Sequence, residues 1–428
     1  MFNKVLIANR GAIAVRIERT LKKMGIKSVA VYSKADRDSL HVTNADEKVY
    51  LGEGTAKDTY LDIDKIIKAA LETGAEAVHP GYGFLSENTA FAAECEKNGI
   101  KFIGPDTDKI KLFGLKHSAR KIAQKANVPL LPGTDLLSDV DEAVEAAKKI
   151  GYPVMLKSTA GGGGIGISIC ENEEELKNSY DKVCHLAENN FNDGGVFLEK
   201  YVRRARHVEV QIFGNKYGEV AILGERDCSV QRRNQKVVEE SPAPSFPDHV
   251  RNKMHAAAKS LAKEAGYTNA GTVEFLYDEN EEKFYFLEVN TRLQVEHGIT
   301  EEVMGVDLVE WMVREAAGEL KNIENKEYKA NGHSIEVRVY AEDCLNGFRP
   351  SAGKIDDVIF SDKARVETWI KKNIEVTHLY DPMLAKLIVH GKDREDALNK
   401  MREVLDESRI YGITTNMQYL KGLIDTKA

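Results

Sequence analysis

Residues 152–170 read YPVMLKSTAGGGGIGISIC. Tyr152–Lys157 has the residues of a strand, Gly161 to Gly164 are four consecutive glycines, and Ile167–Cys170 returns to a strand pattern. A strand, a glycine loop and a second strand make a hairpin. A Walker loop instead runs from strand into helix and closes on Gly-Lys-Ser/Thr, an ending missing here. Glycines without side chains let backbone N–H groups close over phosphate oxygens and let the loop move. A bare hairpin tip could use the same glycines. Lys157, at the end of the first strand, shifts the reading toward a lid over phosphates.

Working upstream, Val140–Ile150 reads as a helix. Before it, Pro105 to Pro132 reads as a linker with helical character around Gly114–Ala126. The first third alternates short apolar runs with helical stretches. Val5–Ala8, Ser28–Tyr32, Ala77–His79 and Lys101–Ile103 read as strands, and Ala12–Lys23 repeats apolar residues at helical spacing. That alternation predicts a parallel, doubly wound sheet with ligands at the carboxyl ends of its strands. The first turn, Asn9-Arg10-Gly11, holds one glycine in place of GxGxxG, which removes support for a nicotinamide or flavin enzyme.

Composition bounds these readings. A chain of 428 residues is long enough for two to four domains. With 42% hydrophobic and 30% charged residues it reads as soluble and globular, and a net charge of −8 gives no reason to expect nucleic acid. No apolar run approaches the roughly 20 residues needed to span a bilayer. Lys4–Ala8 enters a strand with no signal-peptide pattern before it. The five cysteines are scattered with no CxxC pair, as expected of reduced thiols in a cytoplasm.

Downstream, GTVEFLY (271–277) and KFYFLEVNTR (283–292) are β-rich runs joined by the polar Asp278–Glu282, a hairpin signature. In the second run Glu288, Asn290 and Arg292 alternate, so all three side chains should leave one face. With Glu274 on the same face of the partner strand, two carboxylates and one amide oxygen converge. Hard oxygen ligands of this kind suit Mg²⁺ held together with substrate phosphates. The face continues as Arg292-Leu293-Gln294-Val295-Glu296-His297, and the basic stretch Arg226 to Lys236 supplies counter-charge. A merely solvated hairpin face would need neither.

Four motifs together resemble the biotin carboxylase family of ATP-grasp enzymes. They are Pro80-Gly81-Tyr82-Gly83-Phe84-Leu85-Ser86-Glu87-Asn88, the glycine loop, Gly224–Ser229 with Gln231–Lys236, and Glu288–His297, in the family's order over essentially the whole chain. The resemblance implies a mixed α/β and α+β fold. An N-terminal doubly wound domain would cover residues 1–113, a linker helix and ATP-grasp lid 114–203, and a larger C-terminal ATP-grasp and biotin carboxylase domain 204–428. It implies ATP contacts from Lys116, Lys157, Gly162, Gly163, Gly164, Glu199, His207, Gln231 and Asn234. Glu274, Glu288 and Asn290 would hold Mg²⁺, with Mn²⁺ as an alternative ion. Lys236, Arg292, Gln294 and the Val295 backbone would surround bicarbonate. Glu296 would be the general base, and Arg338 and Tyr82 would face biotin, the carrier-bound substrate. The catalytic set is then Glu296, Arg338, Lys236 and Arg292. The implied partners are a biotin carboxyl carrier, a carboxyltransferase component and a second copy of the chain, with no nucleic acid and no membrane.

Three residues depart from the family pattern. Ala12 stands where glutamate is usual, Asn234 where histidine is common, and Gly298 where proline follows Glu296-His297. Gly298 should loosen the backbone beside the base. Asn234, Lys116–Arg120, Val366–Trp369 and Asp381–Lys386 resemble the urea carboxylase branch more than the acetyl-CoA branch. No Ala-Met-Lys-Met-like biotin site is present, so the chain should be either a separate subunit or one domain of a longer polypeptide. Two other readings compete. Another ATP-grasp ligase would share Glu274, Glu288 and the lid, but not the Gln231–Lys236 segment with Arg338. A non-catalytic nucleotide-binding regulator would lose the bicarbonate base, whereas Glu296 and Arg292 are both present.

Overall fold

The protein is described by a computed structural model covering every residue except 160–165, 192–193 and 427–428, with residues 190 and 191 described by backbone alone. Strands β1 (Lys4–Ile7), β2 (Lys27–Ser33), β3 (Glu47–Gly52), β4 (Ala77–His79) and β5 (Lys101–Phe102) form a parallel sheet in the order β3-β2-β1-β4-β5. The expected doubly wound sheet is therefore present, with β3 as a further strand on its edge. Helix Gly11–Lys23 follows β1 and buries Ile13, Ala14, Ile17 and Leu21, the spacing of one helical face. Each large apolar side chain so buried contributes about 1.5–3 kcal/mol. At the turn, Arg10 pairs with Asp36 at 2.7 Å and lies between the rings of Trp369 and Tyr380, which ties this sheet to the C-terminal region.

The expected linker helix is two helices, Thr107–Gly114 and Lys116–Lys125, broken at the extended Leu115. Strands β6 (Val154–Ser158), β7 (Ile167–Cys170) and β8 (Val196–Lys200) then make a small antiparallel sheet in the order β7-β6-β8. Helices Val140–Ile150 and Glu173–Phe191 share its core, where Leu156, Leu176, Val183 and Leu198 are buried. The strand–glycine–strand hairpin is thus formed by β6 and β7. Gly162, Gly163 and Gly164, expected to close over phosphates, lie outside the described residues.

Most of the remainder hangs on one antiparallel sheet of eight strands. These are β9 (Ala205–Gly214), β10 (Val220–Arg232), β11 (Gln235–Ser241), β12 (Asn269–Asp278), β13 (Lys283–Asn290), β14 (His333–Tyr340), β15 (Arg365–Thr368) and β16 (Met383–Gly391), ordered β13-β12-β9-β10-β11-β14-β16-β15. The β12–β13 pair contains a register shift. Phe275 pairs with Phe286 but Glu274 with Glu288, leaving Leu287 as an extra residue. This bulge switches the side-chain parity of β13. Phe284, Phe286 and Val289 enter the core, while Glu288 and Asn290 turn to the other face. Strict alternation would have put Phe284, Phe286, Glu288 and Asn290 together. β13 also stops at Asn290, so Arg292 lies in the following bend and does not extend the strand. Among the described residues, no helix is long and apolar enough to cross a membrane.

Candidate active site

Strands β9 to β14 and the turn before helix His297–Met304 bring together a buried group of charges. Glu296, at the N-cap of that helix, is 0% exposed. Its Oε1 accepts from Lys236 Nζ at 2.7 Å and its Oε2 from Arg338 at 3.0 Å. Burial alone would raise the carboxyl pKa, but the charges of Lys236, Arg338 and Arg226 hold it well below the ordinary range. Lys236 also donates to Glu209 at 2.6 Å and Glu274 at 3.1 Å. Burial works against its charge, and the thiol of Cys228 with Glu209, Glu296 and Glu274 overcomes this, keeping the ammonium protonated. Removing one member of such a buried pair costs about 3–5 kcal/mol, because the other is left uncompensated.

Glu274 joins this group to the cleft. Its Oε1 accepts from Asn290 at 2.8 Å and Gln294 at 3.3 Å, and its Oε2 lies 2.6 Å from His207 Nε2. Burial is again outweighed, here by Lys236 and His207, and the carboxyl stays ionised far below its usual range. Glu288, its register partner, opens to solvent, and its carboxylate makes no hydrogen bond or ion pair with a described residue. Enclosure by the cleft walls, then the charge of Glu274, raise its pKa. Glu274, Glu288 and the Asn290 oxygen thus offer hard donors on one face, one of them unpaired, which fits a divalent cation shared with phosphate. Arg292 spans this face. It donates to Glu87 in the loop after β4, to Gln294 and to Asn290, each at 2.8 Å.

On the nucleotide side, Lys157 of β6 and Arg120 both pair with Glu199 of β8. Lys116, one helical turn before Arg120, is half-buried, and burial followed by the neighbouring Lys157 charge lowers its pKa. Lys116 and Arg120 border a cavity of about 530 Å³. Gln231 lies within 3.0 Å of His207 Nδ1, so these two also come together. Asn234 does not join them. It occupies the exposed tip of the β10–β11 hairpin at φ +65°, after Arg233 at φ +50°. Two successive left-handed residues are what a two-residue hairpin turn requires, and asparagine tolerates them.

A second cavity, of about 350 Å³, lies against the N-terminal sheet and is bordered by Tyr82, Arg292, Val295 and Arg338. Asn9 holds its rim by donating to the carbonyls of Pro80 at 2.7 Å and Tyr82 at 2.8 Å. Gly81 has φ +65°, and a Cβ there would come within 2.9 Å of Asn9 and Ile13, so that loop needs glycine. The Val295 carbonyl accepts from Lys386, a buried residue that sequence reading assigned no part. Glu209, Glu239 and Glu336 are three more buried carboxylates in or beside the cluster that sequence reading missed. Only the alternation Ser334, Glu336, Arg338, Tyr340 signalled one of them. The expected looseness at Gly298 is corrected. The residue is buried in the first turn of its helix, and a Cβ would come within 2.5 Å of Ile388 Cδ1.

Comparison with known proteins matches three stretches of the chain. Residues 1–110 match the family "Biotin carboxylase, N-terminal domain", 116–323 "Carbamoyl-phosphate synthase L chain, ATP binding domain", and 336–428 "Biotin carboxylase C-terminal domain". The chain is 56% identical over 424 residues to urea amidolyase of Saccharomyces cerevisiae, covering 99% of this chain and 23% of that protein. It is 49% identical to biotin carboxylase 2 of Bacillus subtilis, covering 100% of this chain and 97% of that protein. The biotin carboxylase domain dimer of Hydrogenobacter thermophilus 2-oxoglutarate carboxylase was solved with MgADP, ADP and bicarbonate. It superposes with a TM-score of 0.93 at 46% identity, over 100% of this chain and 94% of that one.

Proposed function

The chain belongs to the biotin carboxylase family, and from that premise we propose that it carboxylates carrier-bound biotin using MgATP and bicarbonate. The observation that carries this reading is the convergence of Lys236 and Arg338 on the buried Glu296, with Arg338 also bordering the cavity that Tyr82 lines. An ordinary carboxylate–amine ligase has no need of that constellation.

Bicarbonate is a poor nucleophile until it loses its proton. Ionised Glu296 accepts that proton, and Lys236 and Arg292 offset the resulting dianion, with Gln294 and the Val295 backbone fixing its position. The same cations that hold Glu296 ionised therefore also lower the cost of the dianion. A bicarbonate oxygen attacks the γ-phosphorus, ADP leaves, and carboxyphosphate forms. A bound Mg²⁺ would supply positive charge against the charge developing on the phosphates. Glu274, Glu288 and Asn290 would hold it. Lys116, Lys157, Glu199, His207 and Gln231 serve the nucleotide, while Asn234 keeps the β10–β11 turn. The C–O bond of carboxyphosphate then breaks, releasing CO₂ and phosphate. Phosphate takes the ureido N–H proton of biotin, and the nitrogen bonds to CO₂. Arg338 steadies the ureido oxygen as negative charge develops there, a task for a planar guanidinium.

The working division is 1–113, 114–203 and 204–428, with nucleotide held between the last two parts. The final acceptor is urea or a urea-like amidine, a reading supported by the 56% identity to a urea amidolyase, of which the chain spans 23%. A carrier, a carboxyltransferase component and a second copy of the chain complete the system in the cytoplasm. Phosphate release decides the main claim. Biotin with bicarbonate should stimulate it, and an amine with a carboxylate should not; the reverse outcome would favour another ATP-grasp ligase. For the acceptor, label from bicarbonate should reach urea when carrier and carboxyltransferase are supplied. Label found only in a CoA thioester would overturn that part.

A further inference from the structure

The reaction above uses Glu296, Lys236, Arg292 and Arg338 and leaves two adjacent buried carboxylates without a task. Glu239 on β11 and Glu336 on β14 are register partners, and both are 0% exposed. Arg338, two residues beyond Glu336 on β14, leaves the same face. Its Nη2 is 2.5 Å from Glu239 Oε1 in an ion pair and donates to Glu296 Oε2 at 3.0 Å, while its buried Nε and both Glu239 oxygens have no hydrogen-bond partner. One guanidinium nitrogen is thus shared between the base and a carboxylate assigned no substrate.

We propose that Glu239 is a positioning residue that keeps Arg338 aimed at the biotin cavity once Glu296 has taken the bicarbonate proton, and that Glu336 governs how much charge Glu239 carries. This deepens the biotin carboxylase reading and rests on it. When Glu296 becomes neutral, its charge no longer restrains Arg338. Glu239, fixed on the central sheet, still holds the guanidinium through the same Nη2 at the moment biotin's ureido oxygen needs it. A displacement of about 1 Å at such a group can cost about 10²-fold in rate.

The surrounding charges make Glu239 titratable. It faces Arg338 and Glu336 from β14, Glu296 from the turn before the helix, Cys228 from β10, and Lys236 from its own strand. Glu336 faces Lys386 on β16 at 3.4 Å, but Lys386 is closer to Glu367 of β15, at 2.9 Å. Three carboxylates, Glu239, Glu296 and Glu336, therefore share mainly Arg338 and Lys236, which leaves Glu239 and Glu336 short of counter-charge. Burial first, then Glu296, push the Glu239 pKa up against the pull of Arg338 and Lys236. Burial and Glu239 likewise push the Glu336 pKa up against Lys386 and Arg338. As pH falls through the Glu239 transition its charge is lost, the hold on Arg338 weakens, and biotin-dependent turnover falls.

The test measures phosphate release with saturating MgATP and bicarbonate, with and without biotin, across about pH 6–9. Glu239→Gln should lower the biotin-dependent rate about 10²-fold. It should leave the KM for ATP and the biotin-independent, bicarbonate-dependent rate within about twofold. Glu239→Asp should recover part of the loss. Glu336→Gln removes a like charge, so it should move the acid limb of the biotin-dependent rate to lower pH. A wild-type rate and profile in Glu239→Gln, or equal loss of both rates, would overturn the proposal. If Glu239→Gln does not fold, an unshifted limb in Glu336→Gln overturns it instead. Wild-type protein without any bicarbonate-dependent phosphate release would remove the underlying biotin carboxylase reading, a distinguishable failure.

Discussion

The bicarbonate side of the cleft and its nucleotide side differ in how much of their charge is already paired. Around Glu296, the carboxylates are buried and their contacts with Lys236 and Arg338 are within about 3 Å, and Glu209, Glu274 and Lys236 interlock through the same few atoms. On the nucleotide side Glu288 is exposed and unpaired, Lys116 is half-buried, and Asn234 sits at a hairpin tip. Charge arranged in advance suits a small anion, whose few atoms can do little to organise a site. A large nucleotide brings its own phosphates and cation, and the site can leave donors open for them. The difference teaches that the two sides should respond to mutation in separable ways.

The largest separation is expected at Glu296. Glu296→Gln should lower turnover by about 10²–10⁴-fold with little change in the KM for ATP, measured by steady-state phosphate release. Equal loss of nucleotide affinity would break the comparison. Arg338→Lys should come next, lowering biotin-dependent turnover by roughly 10²–10³-fold while bicarbonate-dependent hydrolysis persists without biotin. On the opposite side, Glu288→Gln should raise the Mg²⁺ concentration for half-maximal rate on the order of tenfold, with the bicarbonate requirement unchanged. The smallest effect sharpens the contrast. Asn234→Gly preserves the turn, so thermal or urea unfolding should shift by less than about 0.5 kcal/mol. A large loss of ATP affinity in that variant would give Asn234 a direct part in nucleotide binding beyond its turn geometry.

The same contrast runs through what could be read from the sequence. The parallel sheet, the β6–β7 hairpin and the 271–292 hairpin were legible because each carries its own local periodicity and turn signal. Glu274 and Glu288 were correctly expected on one face. The reason they share it was not legible, since a one-residue bulge at Leu287 reverses the alternation that Phe284 and Phe286 establish. Glu239 follows Val237 and Val238 and precedes Glu240, which looks like a strand end meeting solvent. Its burial depends on β14 lying alongside, a pairing made across almost a hundred residues of chain. Lys386 is similarly hidden, because its partners Val295, Glu336 and Glu367 come from three distant segments. Gly298 read as a gap in local stiffness, whereas Ile388 from β16 fills the space beside it.

The route of one oxygen atom tests the account most directly. With ¹⁸O-labelled bicarbonate, MgATP and biotin, attack of a bicarbonate oxygen on the γ-phosphorus followed by C–O cleavage leaves that oxygen on phosphate. Mass analysis should therefore find one ¹⁸O in each phosphate released during biotin carboxylation. Phosphate carrying oxygen from water alone, formed at the full rate, would contradict a reaction in which Glu296 readies bicarbonate to attack ATP.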